Sequence, residues 1–362
     1  MRILVIIGLS LVSLSAGAQE FRISGKVMDA DSRQAIEYVS VYIDGSTKGT
    51  TSGSDGAFLL EDVMLPCKLV FSHVGYEVRS LLISDSGDTD KLRCYLEKRI
   101  IRIPEATVIH EQVRDAYLEA FRSSFLGKDY AEQKAEILNE EALHFIALDS
   151  GYEVVVSEPL EVLLPLNAYR IRIDLVHFSH LPNEDQYGYR TSFTGYYFFE
   201  ELGAPGQREK RRIARHRVQT YYYTRLHFCR SWYRQKLDEN GYVLRSREAY
   251  RGDASQPQSE VKDYEIWYEN SPAGIPVMNI SHFRKKQFIL YYYHRSINKP
   301  VDLTSQFELR NKLSWSYLWI LADTVRILPS GRVTENSLGF SREIGDKGVA
   351  WMLPEDYVPS MQ

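Results

Sequence analysis

A zinc hydrolase needs two histidines and a carboxylate around a metal with one open position, often supplied as His-x-x-Glu plus a distant His. The chain has nine histidines, and none has Glu three residues later. His177 and His180 form the one close pair. At that spacing near a strand end the rings point to opposite faces, which favours a structural role over a shared metal. The Gly-x-Ser-x-Gly elbow, the P-loop and the dinucleotide fingerprint are absent. Ser-x-x-Lys occurs at Ser259/Lys262 and Ser296/Lys299, and neither opens a clear helix. Glu140-Glu141 and Glu200-Glu201 are neighbours that face opposite ways on a strand. An acid pair assembled from distant carboxylates stays open, because such pairs need no sequence proximity. "GTTSGSDGAFLL" would be a calcium loop only with oxygen ligands ahead of its glycine and a bidentate Glu at the end. With Gly56 at the sixth position, Thr51, Gly53 and Asp55 take the early places and Asp62 the last. That set is too poor, and Asp55-Gly56 reads as a hairpin-type turn between two strands. No metal, cofactor or catalytic residue is assigned.

Two features suit binding. Arg208, Lys210, Arg211, Arg212, Arg215 and Arg217 put six basic residues in ten at the start of a helix. Positive charge there opposes the helix dipole. The run could meet acidic headgroups, lipopolysaccharide or a negatively charged partner. The alternative is a solvated face whose aliphatic stems cover the core. The second feature is the triplets Tyr221-Tyr222-Tyr223 and Tyr291-Tyr292-Tyr293. Tyrosine stacks on sugars and peptides at interfaces, and it also packs across strands. Tyr221, Tyr223, Tyr291, Tyr292 and Tyr293 therefore join the basic run as the candidate surface. Arg251-Gly252-Asp253, in a polar loop, reads as a chance tripeptide.

The elements that hold these residues follow from periodicity. Over 21–97 short alternating strands recur: "FRISGKV", "YVSVYI", "AFLL", "KLVFSHV", "EVRSLLI" and "KLRCYL". Such spacing predicts an all-β sandwich or barrel. Pro104 marks a linker over 99–111. Val113, Tyr117, Ala120, Phe121 and Phe125 then recur at helical spacing, closed by Gly127. Strand-like segments follow, from "EALHFIAL" to "SFTGYYFFEEL". A second helix is expected over about 207–237, with Val218, Tyr222, Leu226, Cys229 and Trp232 or Tyr233 as its stripe. "DYEIWYE", "IPVMNISHF", "QFILYYYH" and "YLWILADTVRIL" return to strands, with turns at Asn240-Gly241 and Ser330-Gly331.

The chain opens with Arg2, an apolar run from Ile3 to Leu14, and Ala16-Gly17-Ala18, the plan of a cleaved leader over 1–18. The run falls short of the ~20 residues of a bilayer span. No later stretch spans as a helix, so an exported chain without a transmembrane helix is expected. The formal net charge of −4 gives no nucleic-acid footprint. Export permits disulfides. Cys67 shares a strand face with Leu69 and Phe71, and Cys94 with Leu92 and Leu96. A Cys67–Cys94 bridge and two separately buried thiols are the two readings, and Cys229 reads as core.

The stretch "ISGKVMDADSRQAIEYVSVYIDGSTKGTTSGSDGAFLLEDV" with "KLVFSHVGYEVRSLLI" resembles the carboxypeptidase regulatory-like domain. Its marks are Gly25-Lys26-Val27, Val39-Ser40-Val41-Tyr42, Gly49-Thr50-Thr51, Asp55-Gly56-x-Phe58 and Val74-Gly75-Tyr76. The resemblance covers nearly the whole first module. It implies a seven-stranded, transthyretin-like Greek-key sandwich, an accessory without catalytic residues that occurs ahead of outer-membrane receptors and in exported Bacteroidota proteins. "YRIRIDLVHF", "GYYFFEEL", "RRIARHRVQTYYYTRLHFCRSW" and "MLPEDYVP" resemble the C-terminal region of exported Bacteroidota proteins that carry this sandwich in front. That second resemblance implies architecture and location, and no activity.

The expected fold is therefore mainly β, α+β: a leader (1–18), a Greek-key β-sandwich (19–98), a linker (99–111) and a strand-dominated α+β domain with two helices (112–362). The expected function is a non-catalytic envelope protein, periplasmic, outer-membrane-associated or extracellular, whose larger domain binds an envelope protein, glycan or lipid headgroup. The alternatives are a hydrolase of glycans or peptides with a dispersed site, and a periplasmic accessory of an outer-membrane transporter.

Overall fold

The computed structural model describes residues 20–85, 87, 89–100, 111–182, 189–203, 206–246, 264–283, 286–293, 313–334 and 337–359. The expected leader, most of the linker, Arg251-Gly252-Asp253 and both Ser-x-x-Lys pairs lie outside them.

Alternation in the first module produces seven strands: β1 (Phe21–Asp29), β2 (Ser40–Ile43), β3 (Gly49–Thr51), β4 (Ala57–Val63), β5 (Cys67–Ser72), β6 (Arg79–Ile83) and β7 (Leu92–Leu96). They form two sheets, β4-β1-β7 and β3-β2-β5-β6. Inward residues Ile23, Val27, Val41, Phe58, Leu69 and Phe71 make one core between them. Each such side chain contributes about 1.5–3 kcal/mol by leaving water. Asp55-Gly56 is indeed a turn: Gly56 has φ 73°, and the Asp55 carboxylate accepts the Ala57 N–H at 3.0 Å. It is not a hairpin, because β3 and β4 belong to opposite sheets, and the turn carries the chain across the sandwich. The disulfide reading is corrected: Cys67 and Cys94 are free, buried thiols, as is Cys229.

The second module begins with α1 (Glu111–Phe121), which widens into a π-type turn before Gly127. Leu118, Phe121 and Phe125 point inward, whereas Val113 is 42% exposed. Under this helix lie β8 (Glu136–Ile137), β9 (Leu143–Ala147), β10 (Tyr152–Val156), β11 (Leu160–Leu164), β12 (Tyr169–Pro182) and β13 (Tyr189–Glu201). β12 pairs with β11 and β10 along one edge and with β13 along the other. Ile171, Ile173 and Phe178 on β12 meet Phe121 and Phe125 in an aromatic-rich core.

The helix expected over 207–237 is two helices, α2 (Gln207–Tyr221) and α3 (Arg225–Tyr233). Tyr222 is extended, Tyr223 has φ 56°, and Thr224 caps α3 by accepting the His227 N–H at 3.3 Å. A threonine that satisfies an orphan donor makes a better helix start than a helix interior. The chain then forms β14 (Tyr242–Ser246), β15 (Glu265–Asn270), β16 (Pro276–Ser281), β17 (Gln287–Tyr292), β18 (Ser314–Ile320), β19 (Val325–Ile327), β20 (Val333–Thr334) and β21 (Leu338–Arg342). The sheets β14-β17-β18-β21 and β15-β16-β19-β20 share a separate core with Phe228, Cys229 and Trp232 of α3. Among the described residues no helix is long and apolar enough to cross a membrane.

The sandwich is docked, not strung on a tether. The outer face of β3-β2-β5-β6 lies on β12 and β13. The Tyr42 hydroxyl donates to Asp174 at 2.6 Å, the Ser72 hydroxyl donates to the same carboxylate, and Ser80 meets the Tyr196 hydroxyl at 3.0 Å. Phe198 lies over Gly49 so closely that a Cβ there would come within 2.6 Å of its ring. The turn after β2 grips the edge of β13, with the Gly45 N–H on the Tyr197 carbonyl at 2.7 Å and the Phe199 N–H on the Ser46 carbonyl at 3.0 Å.

Candidate binding surface

Helix α2 is fixed from below. Ile213, Thr220 and Tyr221 are buried, and Thr220 donates to the buried Asn167 at 3.1 Å. Opposite that face, Arg208, Arg211, Arg212 and Arg215 are all exposed. Their i, i+3, i+4, i+7 spacing aligns them in one stripe, about 10 Å long from first to last Cα. Arg212 pairs with Glu209 at 2.5 Å. Arg208, Arg211 and Arg215 have no carboxylate partner among the described residues. Lys210 is exposed but lies two residues out of register with the stripe. The N-cap Gly206 supplies no side-chain cap, so nothing in the first turn beyond Glu209 offsets the positive charge.

Arg217 is a correction to the expected surface. It donates to the Asn167 carbonyl at 2.7 Å and to Glu201 at 2.6 Å, and its guanidinium stacks 4.0 Å from the centre of the Tyr169 ring. It ties α2 to the β12–β13 sheet and is spent on that contact.

The tyrosines are corrected in the same way. Tyr221, Tyr223, Tyr291 and Tyr292 are buried, and Tyr293 is half-buried. Tyr223 stacks on Tyr292 at 4.7 Å, and its hydroxyl meets Ser316 at 2.9 Å. Tyr223 thus buries its ring while satisfying its polar tip, and the buried rings present no open face to a sugar or peptide. Tyr222, which the helical stripe had pointed inward, is the exposed member of its triplet.

Chemistry-bearing groups that the sequence did not single out collect where the modules meet. Arg332, on the turn after β19, donates to Glu355 at 2.7 Å and to the Asp44 carbonyl. Burial raises the pKa of both carboxylates, Glu355 to about 7, and the Arg332 charge pulls the other way. Arg230 of α3 donates to the carbonyls of Ser330, Glu355 and Tyr357 at 2.7–2.8 Å. Lys347 donates to the Tyr223 carbonyl at 3.0 Å and caps the break between α2 and α3; burial lowers its amine to about 8. These groups clamp the fold together. No acid–base pair converges with a nucleophile in either set. Asp174 had a sequence signal: a carboxylate that follows Arg170 and Arg172 on the same face of a strand whose alternate residues are Ile171, Ile173 and Leu175. A strand with one apolar face and an acid on the other is suited to a second, polar contact.

His177 and His180 do not share a ligand position. A bulge follows Leu175, His177 is exposed, and the His180 ring meets the Thr191 hydroxyl at 2.8 Å. Glu200 is exposed on β13, and Glu201 is engaged by Arg217. Glu140 holds Arg122 in a two-bond pair at 2.7 and 2.6 Å.

Comparison with known proteins agrees with the first module. Residues 23–108 match the family described as the CarboxypepD_reg-like domain. No curated protein matches the chain.

Proposed function

We propose that this is an exported cell-envelope protein that binds rather than catalyses, and that it binds a phosphate-bearing anionic surface through α2. The observation that carries this reading is the arginine stripe: Arg208, Arg211 and Arg215 exposed in line and unpaired among the described residues, on a helix anchored by Ile213 and Arg217. Guanidinium groups recognise phosphate oxygens through paired hydrogen bonds and are the usual choice for that task. Their alignment on one face suits a plane of headgroups better than a cleft ligand. The N-terminal module is a carboxypeptidase regulatory-like β-sandwich, and it serves here as an accessory that braces β12 and β13. Export is supported by the composition of the first eighteen residues, read from the sequence.

The test is partition onto vesicles. The full chain is expected to bind vesicles carrying anionic phospholipid, to ignore zwitterionic ones, and to be released as salt rises. Equal binding to both compositions, or binding to neither, removes the anionic-surface reading.

A further inference from the structure

The sandwich, the turn after β19 and the last described residues converge on one guanidinium. The Gly45 carbonyl accepts the Glu355 N–H at 2.7 Å, and Asp356 accepts the Thr47 N–H at 3.1 Å and its hydroxyl at 2.5 Å. Residues 355–356 therefore lie on the turn after β2, the turn that also grips the edge of β13. Arg332 sits between two acids, with Glu355 Oε2 2.7 Å from its Nε and Asp44 Oδ2 3.7 Å from its Nη2. The side chains of Asp44, Arg332 and Glu355 are only 17, 13 and 28% exposed, so each has left most of its water.

The donors do not cover both acids. Asp44 Oδ1 takes the Tyr197 N–H at 3.0 Å, and Glu355 Oε2 takes the Arg332 Nε–H. The second oxygen of each carboxylate has no hydrogen-bond donor among the described residues. With both acids ionised, one guanidinium faces two carboxylates. With one proton bound, it faces one anion and one neutral acid, and the charges balance within the triad. The other groups around the site leave that difference in place. Arg230 of α3 is spent on three carbonyls, Arg225 of α3 is exposed, and Lys68 of β5 leans toward the Tyr196 ring at 5.8 Å. Asp174 of β12 and Asp356 add negative charge, whereas the Cys67 thiol and the Tyr197 and Tyr357 phenols are neutral. Carboxylates that share a site hold a proton to higher pH than either would alone. Burial acts in the same direction on both, taking Glu355 to about 7 against the pull of Arg332.

We infer that this junction is a proton-operated latch: one proton taken up by the Asp44–Glu355 pair tightens the second module onto the sandwich turn, and its loss loosens that contact. The sign is opposite to that of a plain salt bridge, which weakens when acid neutralises its carboxylate. Glu355 has a folded value of about 7 against an unfolded 4.5, so the latch contributes fully below 4.5 and is lost as pH rises through 7.

This inference does not rest on the anionic-surface reading and is tested without vesicles. Urea midpoints of the full chain are compared across this pH range with those of Glu355→Gln, whose amide has the shape of the protonated acid and does not titrate. Groups that titrate elsewhere cancel in the difference between the two chains. The expected result is a wild type that loses stability relative to the variant between pH 4.5 and 7 and runs parallel to it above 7. Over the same interval, hydrogen exchange at the Glu355 and Phe199 amides, corrected for the intrinsic effect of pH, should quicken in the wild type alone. A flat difference, or a wild type that gains on the variant as pH rises, overturns the proposal. If the variant does not fold, carbon-13 titration of the wild-type carboxyl groups decides. A midpoint above 4.5 for the pair sustains the latch, and midpoints at or below the unfolded values of both acids overturn it.

Discussion

Tyr42→Phe tests how the sandwich is held. The substitution keeps the ring, which lies 5.2 Å from Phe198, and removes only the hydroxyl that donates to Asp174. Asp174 is buried, at 8% exposure, and Ser72 supplies its other hydroxyl donor. A hydrogen bond to a charged acceptor contributes about 1.5–3 kcal/mol, and that is the expected loss of stability. Ser72→Ala should cost a similar amount. The double variant leaves a buried carboxylate without either hydroxyl, so its cost should differ from the sum, because both residues act on one acceptor. Urea unfolding gives the stabilities, followed both by an intrinsic fluorescence change and by hydrogen exchange in β12 and β13. If the sandwich were a spacer that touched the second module loosely, exchange in β12 and β13 would not respond. A loss under about 0.5 kcal/mol, the range of ordinary surface substitutions, would refute the argument that this contact fixes the module.

Three further outcomes follow from the same packing. Gly49→Ala pushes a Cβ into the Phe198 ring and should destabilise by about 1–3 kcal/mol, read from the same unfolding curves. Burial raises all three thiols to about 12, so a thiol reagent should label none in the native chain and all three after unfolding, with an intact mass that shows no disulfide. Lys347 has a folded pKa of about 8 against an unfolded value of 10.5, so the unfolded chain holds the proton more tightly between those values. Stability relative to Lys347→Met should therefore rise as pH climbs from about 8 toward 10.5, and should be flat below 8. A difference that falls over that range would contradict the burial of the amine.

Local regularity made most of the fold legible. The strands of the sandwich announce themselves through alternation in segments such as "FRISGKV" and through Gly and Asp at their ends. Asp55-Gly56 was readable as a turn because the demand for positive φ is local. Which sheet each neighbouring strand joins is a tertiary matter, and the hairpin expectation failed there. The α2–α3 break was hidden because Tyr222 continues a helical stripe that Thr224 interrupts, and the cap competes with propagation only once Lys347 covers the freed carbonyl. The tyrosines misled for a chemical reason: an amphipathic ring suits both an exposed platform and a core with one hydroxyl partner, and the choice depends on Ser316 and other distant residues. The arginines were identifiable as a cluster, but their division was not. Arg217 is consumed by Asn167 and Tyr169, far away in sequence, while Arg208, Arg211 and Arg215 stay open.

The most direct test of the anionic-surface account is the partition of the triple variant Arg208→Glu, Arg211→Glu, Arg215→Glu onto anionic vesicles. A basic residue near such a surface contributes about 1 kcal/mol, so losing three should weaken binding by roughly a hundredfold or more. Their exposure and lack of partners mean that circular dichroism and the unfolding midpoint should stay close to wild type. Loss of binding by a folded variant is the predicted result. A folded variant that partitions like the wild type would contradict the account and leave α2 as a solvated face.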